Sequence, residues 1–384
     1  MNEQLLKQIQ AASQDQPAWL QQKRQLAMMR AEELPTDQWQ TPLLDSWRNH
    51  SQLTITNEQG VTHTDGYVDL PIFKAAQQYP ELLQENLMEK AIDWQASQVN
   101  ALHLALLNGG RFIYIPDGMV IKHPIEIAYS GAECNYHNLI IVGANARVTI
   151  VEHVHAANDR PSYLGTELLL GDSAQVDYYQ SNTFSADHNW ASVRAYQAGD
   201  SLLNMYVALF DRHHLFGDFH SNLDGDGSRA NFKMVGIATH DQLQEVNTRI
   251  DNHGLHTDGE ILQNGVVKDQ AVLNFHAVGK IYKGAHQSAS NQESRLLTLT
   301  AKSHGEADPV LLIEDNDVNA GHAASIGQVN PDQLYYLQSR GLTLMEAEIL
   351  LTKGFLLPVI EKFPDQQLRE RTIHELMERL GVEQ

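Results

Sequence analysis

Hydrophobic positions along the chain follow three different rhythms. Trp19, Leu20, Leu26 and Ala27 recur at roughly helical spacing behind Pro17, which suits a first helical turn, and Leu34-Pro35 ends the stretch. A second helical pattern runs from about Pro80 to Asn108, with Leu83, Leu87, Ala91 and Trp94 on one stripe. From Arg111-Phe112-Ile113-Tyr114-Ile115 onward the period shortens to that of strands. Helix returns near residue 330. Asn330-Pro331 reads as an N-cap with proline at the first helical position, and Gly341 stands where a helix-terminating glycine belongs. Thr343-Leu344-Met345-Glu346 has the form of a capping box opening another helix, which Gly354 is expected to interrupt. A last amphipathic helix follows Pro364, with Leu368, Ile373, Leu376, Met377 and Leu380 as its stripe. That stripe either packs on the β region or serves as a docking surface.

The strand-rich middle carries a weak internal repeat. Gly143-Ala144-Asn145-Ala146-Arg147-Val148 recurs as Gly171-Asp172-Ser173-Ala174-Gln175-Val176, again from Gly199-Asp200-Ser201, and loosely from Gly225-Asp226-Gly227-Ser228. The glycines are 28, 28 and 26 residues apart. Each copy reads as a tight turn, glycine supplying positive φ, followed by a period-two strand. Such a period holds two strands and two turns, the signature of a solenoid whose coils bury their faces only against neighbours. The expected fold is therefore mainly β, a parallel β-helix, with an antiparallel sandwich as the competing arrangement. The organisation expected is a helical and irregular region over 1–108, a β-helix core over 109–329 and a helical region over 330–384.

Composition narrows the function. The chain has 384 residues, 42% of them apolar and 20% charged, with a formal net charge of -21. That charge argues against nucleic acid, whose phosphates need clustered Lys and Arg, and against an anionic membrane surface. Cys134 is the single cysteine, so no disulfide forms within the chain and no thiolate cluster can be built from it alone. It reads as a buried structural thiol. No basic and apolar leader opens the sequence, and no apolar run approaches the roughly 18 residues that span a bilayer. A cytoplasmic location is expected.

Motifs for catalysis are missing. There is no phosphate-cradling Gly-x-x-x-x-Gly-Lys-Ser/Thr loop and no Gly-x-Ser-x-Gly elbow. Asn222–Ser228 suggests a calcium loop, but from Asp224 the sixth and twelfth positions hold Arg229 and Val235, so a solenoid turn accounts for it better. Among nineteen histidines, His153 and His155 fall on one strand face and form either a metal-binding pair or part of a polar exposed face. His213 and His214 are adjacent and face opposite ways. His322, in Gly321-His322-Ala323-Ala324, is either a loop histidine bonded to backbone or a neutral imidazole ligand that a second subunit could complete.

Several strings together resemble the SufB/SufD family of iron–sulfur cluster assembly scaffolds. They are Gln292-Glu293-Ser294-Arg295-Leu296-Leu297, Asp308-Pro309-Val310-Leu311-Leu312-Ile313, Asp317-Val318, Gly321-His322-Ala323-Ala324-Ser325-Ile326-Gly327 and Leu334-Tyr335-Tyr336-Leu337-Gln338-Ser339-Arg340-Gly341. The likeness is strongest over about 255–360. Pro17-Ala18-Trp19-Leu20 and the modest length resemble the SufD branch more than the longer SufB branch. The resemblance implies a right-handed parallel β-helix with helical ends, working in a cytoplasmic complex with a SufB-like protein and the ATPase SufC. It implies a non-enzymatic role, with ATP used by the partner and a transient iron–sulfur cluster rather than a stably bound cofactor. It assigns the His322 region to the SufB interface, with His322 as the metal-competent side chain. It gives Tyr335, Tyr336, Leu337, Arg340, Gly341, Leu368, Leu376 and Leu380 to ATPase docking. Where many members carry a cysteine two residues before this histidine, this chain has Ala320, so thiolates must come from a partner.

Two other function classes compete. A β-helix enzyme acting on polysaccharide would line one face with stacked carboxylates, and no such face is legible. A stand-alone metal protein would use His153 and His155. A homodimer of the isolated chain is also expected, through exposed β edges at the solenoid's end.

Overall fold

The computed structural model describes residues 3–36, 41–49, 66–130, 135–156, 161–184, 186–363 and 365–381. Helices α1 (Glu3–Ala12), α2 (Ala18–Arg30) and α3 (Thr41–Asn49) precede strand β1 (Val68–Pro71), and α4 (Ile72–Gln78), α5 (Pro80–Asn86) and α6 (Gln98–Ala105) follow it. Strands β2 (Arg111–Ile115), β3 (Ile125–Ser130), β4 (Asn135–Val142), β5 (Arg147–Ala156), β6 (Ser162–Leu170), β7 (Gln175–Phe184), β8 (His188–Gln197) and β9 (Leu202–Leu209) come next. They continue as β10 (His214–Leu223), β11 (Arg229–Ala238), β12 (Leu243–Asn252), β13 (Asp258–Val267), β14 (Val272–Ile281), β15 (Ala289–Thr298), β16 (His304–Ile313) and β17 (Asn319–Gln328). Helices α7 (Pro331–Ser339), α8 (Leu344–Ile360) and α9 (Gln366–Arg379) complete the described chain.

Successive strands alternate between two sheets. One runs β1-β2-β4-β6-β8-β10-β12-β14-β16, the other β17-β15-β13-β11-β9-β7-β5-β3. From β2 on, each strand pairs in parallel with the strand two places along, as Leu215 with Gln244 and Ala289 with Asn319. Among the described strands only β1 with β2 is antiparallel. This is a parallel β-helix, and the sandwich alternative fails because its neighbours would be antiparallel. Period-two burial builds the interior: along β10, Leu215, Phe219 and Leu223 turn inward, while Phe216 and His220 turn outward. Each fully buried Leu, Ile or Phe of this column contributes on the order of 1.5–3 kcal/mol.

The turns need glycine for a reason other than the expected one. Positive φ falls two residues into each turn, on Asn145, Ser173, Asp200, Gly227 and His256, not on Gly143 or Gly171. Gly143, Gly171 and Gly225 are set by stacking instead, while Gly199 has room for a side chain. A Cβ on Gly225 would lie 2.1 Å from Gly199 N, and one on Gly143 2.4 Å from Asp117 Oδ1. Turn backbones also bond coil to coil, Ser173 N to Gly199 O at 2.7 Å and Asp200 N to Asp226 O at 2.8 Å.

The helices cover both flanks. The first helices and the turn before α6 bury Leu20, Leu43, Leu44, Trp94 and Leu102 against Phe112, Leu139, Tyr163 and Trp190 on the outer face of the first sheet. The last helices bury Leu356, Ile360, Phe363 and Leu376 against Tyr179, Tyr206, Val235 and Val266 on the outer face of the second. Two helix expectations need correction. The stripe over 80–108 is broken between α5 and α6, because Glu167 accepts hydrogen bonds from Met88 N at 2.7 Å and Ile92 N at 2.9 Å and Met88 takes φ 53°. Helix α8 runs unbroken through Gly354, since burial of Leu356, Val359 and Ile360 outweighs a glycine cost of about 1 kcal/mol.

Candidate functional site

The two sheets end together, on β16 and β17, and among the described residues no further strand covers either edge. Each edge is ten residues long and offers unpaired backbone N–H and C=O groups. Leu312 is 42% exposed, Ile313 39% and Ile326 52% on these two strands. Ile313 and Ile326 are in register with the buried Ile281 and Leu296, so they are interior positions laid open, whereas Leu312 is in register with the outward Lys280. β17 is free of charge along its whole length, while β16 carries Glu306 and Asp308 in its first half and is apolar from Pro309 to Ile313. Long edges with such apolar stretches are surfaces for strand addition.

His322 stands on β17 in register with Gln292 on β15. Ser290, Gln292, Ser294 and Leu296 are the buried, inward positions of β15. Their partners Ala320, His322, Ala324 and Ile326 therefore continue the interior columns to the rim, where His322 is exposed. The neighbouring Gln292 Nε2 donates to Val310 O at 3.1 Å, while its buried Oε1 has no hydrogen-bond partner. His322 thus lies on a strand rather than in a loop. Small flanking residues, Gly321, Ala323 and Ala324, leave backbone approach open around its ring.

Beside the rim, α7 and α8 form as their end signals require. Asn330 Oδ1 accepts from Asp332 N at 2.8 Å, Gly341 takes φ 96° after the C-cap Arg340, and Thr343 and Glu346 cap each other reciprocally. The Arg340 guanidinium sits 5.1 Å from the Tyr336 ring centroid. Tyr335 is 75% exposed, and Tyr336, Leu344, Met345 and Leu350 are all at least half exposed. Leu337 is half-buried and Gly341 exposed. Contiguous exposed aromatic and aliphatic side chains of this kind mark interaction surfaces.

The placement of α9 divides the expected docking set. Leu368 and Leu376 are buried and Leu380 partly buried against the second sheet. Tyr179 OH and Thr372 Oγ1 meet at 2.9 Å, and Ser181 Oγ donates to Glu375 Oε2 at 2.6 Å. Leu368 and Leu376 hold α9 on the β-helix, where Tyr179 and its neighbours form an apolar outer face, and Leu380 packs partly against the same face. Of the eight residues expected to dock a partner, Tyr335, Tyr336, Leu337, Arg340 and Gly341 come together at the rim, and the other three do not.

His153 is 4% exposed, with its ring 5.6 Å from that of Tyr179, so the expected polar exposed face is instead covered; the side chain of His155 and all of Cys134 lie outside the described residues. Among the described residues no group of three or more His, Cys, Asp or Glu is arranged to hold a metal ion. The first sheet carries carboxylates on its outer face, but Asp218, Glu245 and Asp251 each stand in register with uncharged or basic residues and form no stack. Asp218 pairs with Arg194 at 2.8 Å, Asp251 with Arg249 at 2.8 Å, and Glu245 with His276 at 2.5 Å. Each carboxylate is engaged by a basic group of its own, which is not the free acid and base pair that glycosidic cleavage uses.

One buried group escaped the sequence reading. Glu152 lies inside the solenoid, its Oε1 accepting from Asn138 Nδ2 at 2.9 Å and its Oε2 from Thr166 Oγ1 at 3.0 Å and from the Tyr178 hydroxyl. Burial pushes its carboxyl up to about 7, against these hydrogen bonds. The signal was present: Val148, Ile150 and Glu152 share the inward face of one strand.

The fold is a parallel β-solenoid flanked by helices on both sheets and left open at one rim. Its sequence matches a known family. Residues 127–355 fit the model of the SUF system FeS cluster assembly SufBD core domain. The chain is 30% identical to the iron–sulfur cluster assembly protein SufD of Bacillus subtilis over 93% of each chain. It is 26% identical to an iron–sulfur cluster assembly SufBD family protein of Pyrococcus horikoshii, over 78% of this chain and 68% of that one. A Mycobacterium bovis protein of the same family is 28% identical over 37% of this chain but only 17% of its own length. The chain belongs to the SufBD family, and within it is most like SufD.

Proposed function

We propose that this chain is a non-catalytic scaffold subunit for iron–sulfur cluster assembly, acting in the cytoplasm within a complex. The open rim carries the reading: β16 and β17 end both sheets together with Leu312, Ile313 and Ile326 exposed. A SufB-like β-helix adds its strands there, so that His322 lies at the junction of two solenoids. His322 supplies one imidazole to a cluster under assembly, which is cargo and not a resident cofactor. The thiolates come from the partner, since Ala320 holds none here and no ligand group of three lies among the described residues. In the absence of a SufB-like protein the same edges accept a second copy of this chain.

A SufC-like ATPase docks on the exposed face of α7 and α8 and supplies the ATP-driven step. No phosphate-binding loop exists in this chain to do so. Among the described residues no helix is long and apolar enough to cross a membrane. Co-expression with SufB-like and SufC-like proteins tests the reading directly. The parent chain should co-purify with both, and Ile326→Glu should lose the SufB-like partner at least about tenfold while keeping its own fold, because it places a charge where strands must meet. Undiminished capture by Ile326→Glu, or turnover of a substrate by the isolated chain, would falsify it.

A further inference from the structure

Between α6 and the outer face of the first sheet, four side chains form one hydrogen-bonded line. His103, on α6, meets Asn135 Oδ1 through Nδ1 and His137 Nδ1 through Nε2, the second at 3.0 Å. His137, on β4, then meets Glu167 Oε2 of β6 through Nε2 at 2.9 Å. His103, His137 and Glu167 are 0% exposed and Asn135 is 6% exposed. Gly165 makes room for the central contact, since a Cβ there would lie 2.8 Å from His137 Nδ1 and 3.0 Å from His103 Nε2. Tyr163 stacks on the His103 ring with centroids 4.0 Å apart.

The protons along this line can be counted. Asn135 turns its Nδ2 to His103 O at 3.2 Å, so its Oδ1 faces the ring and can only accept. At the other end, Glu167 Oε2 also accepts from Met88 N at 2.7 Å, and Oε1 accepts from Ile92 N at 2.9 Å. The three contacts Asn135–His103, His103–His137 and His137–Glu167 need one proton each. Two neutral imidazoles bring one N–H apiece. One further proton is therefore held in the line, on a ring or on the carboxyl.

The surroundings decide where it rests. Burial, and then the neighbouring His137, push His103 well below the ordinary imidazole range, so His103 is neutral. The two backbone N–H groups aimed at Glu167 favour its anion. Charged groups on the elements packed around the line are engaged elsewhere. Arg194, in register with Glu167, pairs with Asp218 at 2.8 Å. From α2, Lys23 pairs with Glu89 at 2.6 Å, and Arg24 donates to the carbonyls of Ala105 and Leu107. Glu85, Lys90 and Asp93, near the turn that carries Met88 and Ile92, are exposed.

We propose that His137 is a buried imidazolium balanced by the Glu167 carboxylate, and that this one proton latches the N-terminal helices onto the β-helix. His137 donates from Nδ1 to His103 and from Nε2 to Glu167, and His103 donates from Nδ1 to Asn135. The line thus ties β4 to α6 at one end and, through Glu167, to the turn before α6 at the other. Without the extra proton, either two bare ring nitrogens face each other or one ring loses its outer acceptor, and no water is at hand to replace the bond. The latch sits on the flank of the first coils and is independent of the open rim.

The test uses the full chain with isotope-labelled histidine, observed by NMR at about pH 8, where an unperturbed imidazole is neutral. His137 should carry slowly exchanging protons on both ring nitrogens, and His103 a proton on Nδ1 alone. A bare Nε2 on His137 would move the proton to Glu167, and two protons on His103 would move it to that ring; either result overturns the assignment. Glu167→Gln, which keeps the size and removes the charge, should speed hydrogen exchange at the Met88 and Ile92 amides at least about tenfold while β12 and β14 keep their protection. Unchanged exchange at those two amides would overturn the latch. If Glu167→Gln does not fold, the ring protonation of the parent chain decides alone.

Discussion

Gln292 and His322 occupy the same rung of the solenoid interior on neighbouring strands, one buried and the other exposed. Only the absence of a following strand at that edge separates their environments. His322 is thus an interior position by register and a surface position by circumstance. His322→Ala removes little packing, so stability in urea should stay within about 0.5 kcal/mol of the parent. Iron and sulfide carried by the co-expressed complex should nonetheless fall. Unchanged cluster content would reduce His322 to a structural residue.

The C-terminal helices divide between packing and docking. Leu376→Ala, at a fully buried position under α9, should cost about 2–5 kcal/mol in equilibrium unfolding. Tyr335→Ala and Met345→Asp, both at exposed positions, should each shift stability by no more than about 0.5 kcal/mol. In a pull-down with a SufC-like ATPase the order reverses. The exposed pair should abolish capture, and a soluble Leu376→Ala chain should retain it. ATPase capture insensitive to Tyr335 and Met345 would move the docking surface elsewhere.

Glu152 gives the fold a pH dependence of definite sign. Its carboxyl titrates at about 7 in the folded chain and near 4.5 in the unfolded one. Between those values the native state binds the extra proton. Stability from this group is therefore fully present below about 4.5 and is lost as pH rises toward 7. The groups that face it are Asn138, Thr166, Tyr178 and Gln180, none of them charged in that window. Glu152→Gln should flatten the stability profile between pH 5 and 8 by a difference on the order of 2–3 kcal/mol. Parallel profiles for the two chains would show that Glu152 is not the titrating group.

The turn glycines separate close stacking from backbone conformation. Gly225→Ala forces Cβ against the backbone of the preceding coil and should destabilise by about 1–3 kcal/mol. Gly327→Ala, on the rim strand with nothing within 4 Å of the new carbon, should leave stability nearly unchanged. Thermal unfolding of the two variants side by side checks this. Equal melting temperatures would mean that the coils are free to spread.

The 28-residue spacing and the period-two alternation were enough to make the solenoid legible, because both reflect local geometry that repeats. The caps of α7 and α8 were readable for the same reason: Asn330, Thr343, Glu346 and Gly341 act on their own neighbours. His322 stood out by its flanking residues, though its place on an edge strand did not. What escaped depended on residues far apart in sequence. Glu167 breaks the helical stripe by holding Met88 and Ile92 from about 75 residues away, and α8 passes through Gly354 because the second sheet lies beneath it. Leu376 and Tyr335 are alike as apolar side chains on helices; one is covered and the other bare because only the folded chain determines which face meets the β-helix. Local pattern specified the coils and the caps, and long-range burial decided which of their surfaces remain free.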